Sequence, residues 1–385
     1  MNAIHWFEAK QLDRVTNFSS RTEIIKNIAN EGVKIQYYCS FSKTKVYFNL
    51  KQNISYLGVF RNKVLKYFEF RMLTVLTSIF IVIFSNRNVL MVNQDLVRYM
   101  MPARIINKIL FKKNKFIVDI RTFPTEPETF DRDMKMFFKK FDLAFKYFDG
   151  YSFITPFIKR KIMEQYGSPQ KKCVIWSSGV DTEIFNKDNY QRKSDTKSFN
   201  IFYHGGISIS RGTMNLIKAC ELLVNQGYDI NLTQVGKIVD SSIPKFIEDN
   251  NFENWCHLMD AKPISEMPQM IANSDLPVLP FPDFMAWRVS SPIKLMEYMA
   301  MGKKVLAPNM ECFTDVFNNN SAMIHYYNYK EEDAVTSISN AIRSIIESKA
   351  SQKSYDKEIT SFVNENYTWN IQAMNLLRFC NALCQ

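Results

Sequence analysis

Residues 290–302 read Ser290-Ser-Pro-Ile-Lys-Leu-Met-Glu-Tyr-Met-Ala-Met-Gly302. This stretch follows a short apolar run at 276–281 and precedes another at 305–307, and both runs predict buried strands. A helix is predicted between them, so this part of the chain indicates a strand–helix–strand unit. Such units form parallel sheets in α/β proteins.

The start of the predicted helix carries groups that suit an anionic ligand. Ser291 is a good N-cap and Pro292 fits the first helical position, so the helix should begin here. Free backbone N–H groups and the positive end of the helix dipole attract an anion, and Lys294 in the first turn adds a cation. Glu297 lies on the same face, where its carboxylate can accept hydrogen bonds from sugar hydroxyls. Together these groups predict a site for a nucleotide diphosphate.

Length and composition indicate a globular protein of about two domains. The chain has 385 residues, of which 46% are hydrophobic and 23% charged, and this is long for a single core. Seven cysteines without CxxC spacing indicate free thiols in a reducing compartment. The N-terminus has no signal-peptide pattern, so a cytoplasmic protein is expected. The longest apolar run, at 72–84, is too short to span a bilayer and favours a buried amphipathic helix over an interfacial one.

Positive charge is concentrated in the first half of the chain. The net charge is +11, and residues 1–185 carry 30 Lys and Arg residues against 16 Asp and Glu. Basic clusters at 112–115, 139–140 and 159–161 suit anionic lipid headgroups or a phosphate-bearing acceptor, and an ordinary solvated surface is an equal alternative. Nucleic acid is not expected as a partner, because no nucleic-acid-binding motif accompanies the charge.

A second motif follows a predicted strand at 199–203 and reads His204-Gly-Gly-Ile-Ser-Ile-Ser-Arg-Gly212. Gly205 and Gly206 allow close approach of backbone to phosphate, and Arg211 can bind phosphate through two hydrogen bonds. The motif matches neither the dinucleotide fingerprint nor a P-loop, which argues against a nicotinamide cofactor. A plain strand-to-helix turn is the alternative interpretation.

With these two motifs and the stretch Val174-Ile-Trp-Ser-Ser-Gly-Val-Asp-Thr-Glu-Ile-Phe185, the chain resembles retaining GT-B glycosyltransferases, like those of family 4 (glycosyl transferases group 1). The resemblance implies an α/β fold of two Rossmann-like, doubly wound domains flanking a cleft. Residues 1–185 would form the acceptor-binding domain and residues 199–366 the nucleotide-sugar-binding domain, joined by a polar linker. A C-terminal helix within 367–385 would pack back toward the first domain.

The resemblance also implies roles for the residues of the two motifs. Glu297 would bind the ribose hydroxyls of the donor, and Arg211 and Lys294 would hold the pyrophosphate. The other expected contributors to the donor site are Gly205, Gly206, Ser291, Pro292 and Ile293. Contacts to the nucleotide base are expected near 261–264, with UDP favoured over GDP.

Asp119 is a third candidate catalytic residue, after Arg211 and Lys294. It ends a predicted strand at 116–120 and is followed by Arg121 and Glu126, which are further candidates for contacts in the cleft. A structural role, in which Asp119 holds a loop or an arginine, is an equal alternative. No cofactor or metal is expected, because the four histidines are far apart along the chain and protein cations can neutralise the diphosphate.

The expected function is transfer of a sugar, with retention, from a nucleotide sugar to a glycan or lipid-linked acceptor in cell-surface polysaccharide or glycolipid synthesis. Peripheral contact with the inner membrane face is part of this expectation. Two departures from the family pattern keep alternatives open: Val289 stands where many relatives have a glutamate, and Gly206 where many have an arginine. The alternatives are a sugar-nucleotide epimerase and a non-catalytic scaffold that binds a nucleotide sugar.

Overall fold

The computed structural model describes residues 1–9, 18–40, 53–58, 62–124, 127–167, 172–193, 197–317, 321–330, 333–348 and 355–385. The chain divides into two compact units, one of residues 1–179 and 369–385 (unit 1) and one of residues 180–368 (unit 2). The polar stretch at 186–198, expected to be a linker, lies within unit 2. Its described residues are anchored there, since Arg192 pairs with Asp275 at 2.7 Å.

Unit 1 is built on a seven-stranded parallel sheet. Its strands are β1 (Ala3–Glu8), β2 (Lys34–Ser40), β3 (Ile54–Leu57), β4 (Val89–Asn93), β5 (Lys115–Ile120), β6 (Gly150–Phe153) and β7 (Lys172–Ile175). Their order is β3-β2-β1-β4-β5-β6-β7, which is the Rossmann order with one further strand. The central strands are apolar on both faces because helices cover both; in β4, residues 89–92 are all buried.

The helices between these strands are α1 (Phe18–Asn30), α2 (Lys63–Phe84), α3 (Val97–Ile109), α4 (Phe130–Tyr147) and α5 (Pro156–Tyr166). Helices α2 and α3 pack side by side, and α3 packs against α4. Asn62 caps the N-terminus of α2 through its side-chain oxygen, which accepts a hydrogen bond from the N–H of Val64 at 2.9 Å.

Helix α2 differs from the buried helix predicted for this region. In the described part of the chain it is the one helix long and apolar enough to cross a membrane, with a mean hydropathy of 1.7 over Val64–Phe84. Only 33% of this apolar stretch is buried within the protein. The prediction of a buried helix is therefore wrong for its outer side, which exposes large apolar side chains.

Unit 2 contains two smaller parallel sheets. The first has the order β10-β9-β8-β11, with β8 (Phe199–His204), β9 (Ile230–Val235), β10 (Cys256–Met259) and β11 (Leu276–Pro277). The second pairs β12 (Val305–Pro308) with β13 (Ile324–Tyr327). The helices are α6 (Thr213–Asn225), α7 (Ser242–Asp249), α8 (Met267–Asn273), α9 (Met285–Arg288), α10 (Ile293–Ala300), α11 (Glu311–Thr314), α12 (Ala334–Ser348) and α13 (Asp356–Asn366).

The strand predicted at 276–281 is shorter in the structure, since β11 ends at Pro277. Proline has no N–H to donate, so the repeated prolines of this run interrupt a regular ladder. The run still joins the two sheets of unit 2. The N–H groups of the two residues after Pro277 donate to the carbonyls of Phe202 and Leu306, one in each sheet.

The closing helix, α14 (Trp369–Cys384), belongs to unit 1. It packs against α1 and β7. The side chain of Gln372 accepts a hydrogen bond from the N–H of Ser177 at 2.7 Å. The ring of Phe379 packs so closely on Gly150 that a Cβ added there would lie 2.8 Å from it. The chain thus crosses from unit 1 to unit 2 after Gly179 and returns at Trp369.

Candidate functional site

The turn after β8 is shaped by glycines. Gly205 has φ +140°, and a Cβ added there would lie 2.4 Å from Cε of Lys294. Its N–H donates to the carbonyl of Val235 at 2.8 Å, which ties the turn to the end of β9. Gly236 packs against this turn so closely that a Cβ would lie 1.8 Å from the carbonyl oxygen of Gly205. The absence of side chains at both positions lets Lys294 lie across the turn.

Helix α10 begins one residue later than predicted. Pro292 is its N-cap, with φ −74° and ψ 112°, and Ile293 is the first helical residue, so the prediction that Ser291 caps the helix is wrong. Proline offers no side-chain oxygen, so the N-cap residue itself makes no capping hydrogen bond. The N–H groups of the first turn have no acceptor within the helix. The helix therefore presents donors and the positive end of its dipole beside Lys294.

Arg211 ends a short 3-10 turn, Ile209–Arg211, that follows the two glycines. Its Nε would lie 3.2 Å from a Cβ at Gly206, so the arginine folds back over the glycine turn. Its guanidinium carbon lies 5.0 Å from the centre of the Trp287 ring, which is a cation–π distance. The turn thus holds Arg211 over the same glycines that Lys294 crosses.

The two cations affect each other. Burial lowers the pKa of Lys294; the carboxylate of Glu297 opposes this change, and the positive charge of Arg211 adds to it. Among the described residues, neither Lys294 nor Arg211 forms an ion pair with a carboxylate. A protein that places two cations together in this way favours an anion between them.

Glu297 is buried, with 8% of its surface exposed, and its Oε2 lies 2.8 Å from Nε2 of His204. The sequence had suggested an exposed carboxylate or an ion pair with Lys294 as the alternatives to a ligand-binding role. The structure shows neither, because the hydrogen bond of Glu297 goes to the imidazole of His204. The backbone N–H of His204 donates to the hydroxyl of Tyr298 at 2.9 Å, so two successive residues of α10 hold the end of β8.

The other nitrogen of His204, Nδ1, is buried and has no hydrogen-bond partner in the described part of the chain. The carboxylate of Glu297 contacts only the Nε2 side of the ring, so it cannot also form a hydrogen bond with Nδ1. The sequence named His204 only as a residue that could line the site. Its pairing with Glu297 depends on the contact between β8 and α10.

Trp287 is a residue of the candidate site that was not predicted from the sequence. Its Nε1–H donates to the carbonyl of Ser210 at 2.9 Å, and its ring stacks on Phe281 with centroids 4.6 Å apart. Trp287 therefore fixes both the turn that carries Arg211 and the position of its guanidinium. The feature of the sequence that could have indicated this role is a tryptophan that lies a few residues before the Ser-Pro motif.

Two other predicted features of the donor site lie in unit 2. Val289, which replaces the glutamate of many relatives, is buried at the end of α9. Residues 261–264, where contacts to the base were expected, are exposed and follow β10 at its carboxyl end. In open parallel sheets, ligands bind at this edge.

Asp119 lies in unit 1, at the carboxyl end of β5, and is buried. The hydroxyl of Ser152 donates to it at 2.6 Å, and Nε1 of Trp176 donates to the same hydroxyl at 2.7 Å. Burial raises the pKa of Asp119, and the charge of Arg121 opposes this change. This hydrogen-bonded position agrees with the structural alternative that the sequence left open.

Arg121 also has a well-defined place in unit 1. Its guanidinium lies 3.4 Å from the ring centre of Trp176 and donates to the carbonyl of Trp176 at 2.7 Å. Glu126, the other candidate from this stretch, lies outside the described residues. Within those residues, no three His, Cys, Asp or Glu side chains lie together so that they could hold a metal ion. The seven cysteines are all free thiols, as predicted.

Comparison with known proteins agrees with this architecture. Residues 185–361 match the family described as glycosyl transferases group 1. No curated protein sequence matches the chain.

Solved structures are similar over the whole chain. A glycosyltransferase from Rickettsia africae has a TM-score of 0.72 at 15% identity, with 100% of both chains covered. The HepE protein of Anabaena, in complex with UDP, has a TM-score of 0.74 at 12% identity, with 99% of this chain and 100% of that chain covered. The lipopolysaccharide outer core galactosyltransferase WaaB has a TM-score of 0.68 at 14% identity, with 99% of each chain covered. The chain therefore has the GT-B fold, and its residues 185–361 match the glycosyl transferases of group 1.

Proposed function

We propose that this protein is a retaining glycosyltransferase that moves a hexose from a UDP-sugar to a glycan or lipid-linked acceptor. Unit 2 binds the donor, and unit 1 binds the acceptor. The reaction belongs to the synthesis of a cell-surface polysaccharide or glycolipid, and the enzyme works in the cytoplasm in peripheral contact with the inner membrane face. No metal is needed in this proposal, because side chains of the protein neutralise the diphosphate.

The observation that carries the proposal is the placement of Lys294 and Arg211 over one glycine turn, beside the N-terminus of α10. A diphosphate is the ligand that matches two cations and a helix N-terminus at once. The lowered pKa of Lys294 supports this assignment, since an anion would relieve both the burial of its charge and the repulsion by Arg211.

The same groups account for the chemistry. When the bond between the anomeric carbon and the diphosphate breaks, its electron pair leaves with the phosphate and negative charge grows there. Arg211, Lys294 and the N–H groups of α10 stabilise that growing charge more in the transition state than in the ground state. The acceptor hydroxyl forms the new bond at the anomeric carbon and gives its proton to an oxygen of the leaving diphosphate. The resemblance to retaining enzymes supports this attack from the face of the leaving phosphate.

Glu297 is assigned to the ribose of the donor. Its bond to His204 leaves the second carboxylate oxygen, Oε1, for ribose hydroxyls, and it fixes the direction of the carboxylate. The crystal structures of HepE with UDP and with UDP-glucose support uridine as the base. The naming of WaaB as a galactosyltransferase supports a hexose donor.

Isothermal titration calorimetry with UDP, GDP and ADP tests the donor site. We expect UDP to bind most tightly, and Arg211→Ala to weaken it by roughly 1–3 kcal/mol through the loss of charge-assisted hydrogen bonds. Lys218→Ala, on the exposed side of α6, is the control and should bind UDP as the wild type does. Equal, weak binding of all three nucleotides to the wild type, with no change in Arg211→Ala, would contradict the assignment.

Turnover separates the transferase from the two alternatives. A transferase consumes UDP-sugar and releases UDP in proportion to glycosylated acceptor, which mass spectrometry can detect. An epimerase would interconvert UDP-sugars without an acceptor and without releasing UDP. A scaffold would bind UDP-sugar and leave it intact with every acceptor tested.

A further inference from the structure

The outer side of helix α2 is an uninterrupted row of large apolar side chains. The exposed members of this row, the α2 stripe, are Leu65, Phe68, Met72, Leu76, Phe80, Ile83 and Phe84. Phe80 is typical, with 62% of its surface exposed. The residues recur at helical spacing, so the stripe is about 28 Å long at 1.5 Å per residue.

The polarity of α2 is the reverse of that of an ordinary surface helix. Its polar residues Thr74 and Ser78 are fully buried, whereas the row that faces outward contains no charge from Met72 to Phe84. A surface helix of a soluble protein normally buries its apolar face and exposes its charges. A large exposed apolar surface of this kind marks a site of contact with a membrane or with another protein.

A basic groove borders the stripe near its start. It lies between α2, α3 and α4, has a volume of about 500 Å³ and includes Tyr67, which is next to Phe68 of the stripe. Four cations line it, namely Arg71, Arg98, Lys139 and Lys140, together with the carboxylates of Asp95 and Asp142. The two carboxylates have partners of their own, since Asp95 pairs with Lys140 and Asp142 accepts a hydrogen bond from Tyr166.

The remaining cations of the groove lack carboxylate partners in the described part of the chain. Arg98 and Lys139 are exposed and form no ion pair there. Arg71 is buried and held over the ring of Tyr67, and its Nε has no hydrogen-bond partner among the described residues. A buried guanidinium nitrogen without an acceptor, in a groove of net positive charge, points to an anionic ligand such as a phosphate.

Cations and an aromatic side chain also stand at the other end of the stripe. Phe111 is 91% exposed and precedes Lys112 and Lys113. The N–H of Lys113 donates to the side chain of Asn86 at 2.6 Å, which places this turn directly beyond the end of α2. An apolar row with basic residues at both ends is the pattern of helices that lie in a membrane interface.

We propose that the α2 stripe lies in the headgroup region of an anionic lipid bilayer, and that the groove around Arg71 holds the phosphate of a lipid headgroup. Helix α2 enters the interface sideways, since its inner side packs on α3 and on the sheet of unit 1. Burial of the stripe supplies the apolar part of the binding, and Arg98, Lys139, Lys112 and Lys113 supply the electrostatic part. The inference rests on the proposed function, which places the enzyme in peripheral contact with a membrane, and it names the residues that make this contact.

Sedimentation of the full-length protein with vesicles tests the apolar part. We expect binding to vesicles of equal amounts of phosphatidylcholine and phosphatidylglycerol. Phe80→Glu and Leu76→Gln should each lower the partition coefficient, the former at least about tenfold, because an apolar side chain no longer enters the lipid. Leu222→Glu, an exposed leucine of α6 in unit 2, is the matched control and should bind as the wild type does.

Charge-reversal variants test the contribution of the groove to vesicle binding. Arg98→Glu with Lys139→Glu should reduce binding to anionic vesicles at least about tenfold and remove most of its salt dependence. The matched double variant, Lys245→Glu with Lys357→Glu on exposed helices of unit 2, should bind as the wild type does. Thermal unfolding of every variant establishes that it is folded.

Three results would overturn the proposal. The first is the absence of vesicle binding by the wild type at low salt, and the second is vesicle binding that none of the stripe and groove variants changes. The third is a concentration-dependent dimer in sedimentation velocity that Phe80→Glu breaks, which would assign the stripe to a second copy of the chain. Because these assays contain no nucleotide, and UDP binding can be measured in the same variants, a failure here is separate from a failure of the donor site.

Discussion

The carboxylate of Glu297 and the imidazole of His204 are joined across 2.8 Å, between the first turns of α10 and the end of β8. Both side chains are 10% exposed, so water does not replace this hydrogen bond when it is lost. The pair couples the strand that carries the glycine turn to the helix that carries Lys294. Together with the hydrogen bond from the N–H of His204 to Tyr298, this buried contact sets the position of the proposed donor-binding groups.

His204→Ala should lower both stability and UDP affinity. The substitution leaves the buried carboxylate of Glu297 without its donor, which costs about 1–3 kcal/mol. His204→Gln, whose amide can donate to the same oxygen, should recover most of the loss. Thermal unfolding and calorimetry with UDP measure the two effects, and wild-type UDP affinity in a folded His204→Ala variant would contradict the role given to the pair.

Lys294→Met should stabilise the protein without ligand and weaken its binding of UDP. The ammonium is partly desolvated and repelled by Arg211, so a neutral side chain of similar length removes an unfavourable charge. The same change removes a charge-assisted bond to the diphosphate, worth about 1.5–3 kcal/mol. Melting temperatures with and without UDP report both effects. A lower melting temperature for ligand-free Lys294→Met would show that the charge is already compensated in the free protein.

UDP affinity should fall at alkaline pH, and Lys294 sets where it falls. The pKa of Lys294 lies below its usual 10.5 in the free protein, and the phosphates of UDP raise it on binding. The affinity for UDP is therefore highest below the pKa that Lys294 has in the free protein, and it declines as the pH rises through that pKa. Lys294→Arg should move the decline to higher pH, because a guanidinium stays charged. Calorimetry of both proteins across this range measures the shift.

The same pKa predicts the pH dependence of stability without ligand. Between the lowered pKa and 10.5 the unfolded chain holds the proton more tightly than the folded protein does. The contribution of Lys294 to stability therefore increases as the pH rises through that interval. Comparing the wild type with Lys294→Met isolates this contribution from other groups. A difference that stays constant with pH would contradict the lowered pKa.

Gly212→Ala and Gly205→Ala should have different effects. At Gly212, with φ +75°, a Cβ would lie 1.7 Å from the backbone oxygen of Pro280, so the substitution should cost about 2–4 kcal/mol of stability. At Gly205, with φ +140°, a Cβ would clash with the flexible end of Lys294 and with the hydroxyl of Tyr203, so the variant should lose UDP affinity in addition to the stability that the backbone strain costs. Gly227→Ala, where a Cβ meets nothing within 4 Å at φ +88°, measures the backbone term alone, about 1–2 kcal/mol.

Asp119→Ala should destabilise unit 1 and leave UDP affinity unchanged. The substitution removes the acceptor of the buried Ser152 hydroxyl, which costs about 1–3 kcal/mol. Asp119→Asn keeps an acceptor oxygen and should cost less. Unfolding and calorimetry with UDP measure the two quantities. A folded Asp119→Asn variant that binds UDP normally but has lost transfer activity would instead make Asp119 a catalytic contact.

Much of the fold was predictable from local patterns. The apolar runs at 116–120, 199–203, 276–281 and 305–307 all contain strands of the structure, and the helix predicted after the Ser-Pro motif is α10. The strand at 276–281 was overestimated because its prolines cannot take part in a ladder. Strand β3 and helix α3 were not predicted, since short or mixed segments carry weak periodicity.

The sequence by itself determined which chemical groups the proposed donor site contains. Glycines at 205 and 206, Arg211 and the Ser-Pro-x-Lys-x-x-Glu spacing place phosphate-binding and sugar-binding groups next to predicted strands, and each of these signals is local. Because backbone conformation, helix starts and residue spacing depend on near neighbours in the chain, they could be interpreted without the structure.

Only the tertiary structure decided which of these groups touch. The pairing of Glu297 with His204, the support of Arg211 by Trp287 and the packing of Gly236 on Gly205 all join residues far apart in sequence. The same holds for α2, where composition predicted a buried helix and packing turned its apolar row outward. Burial depends on what the rest of the chain places against a surface, and no local pattern contains that information.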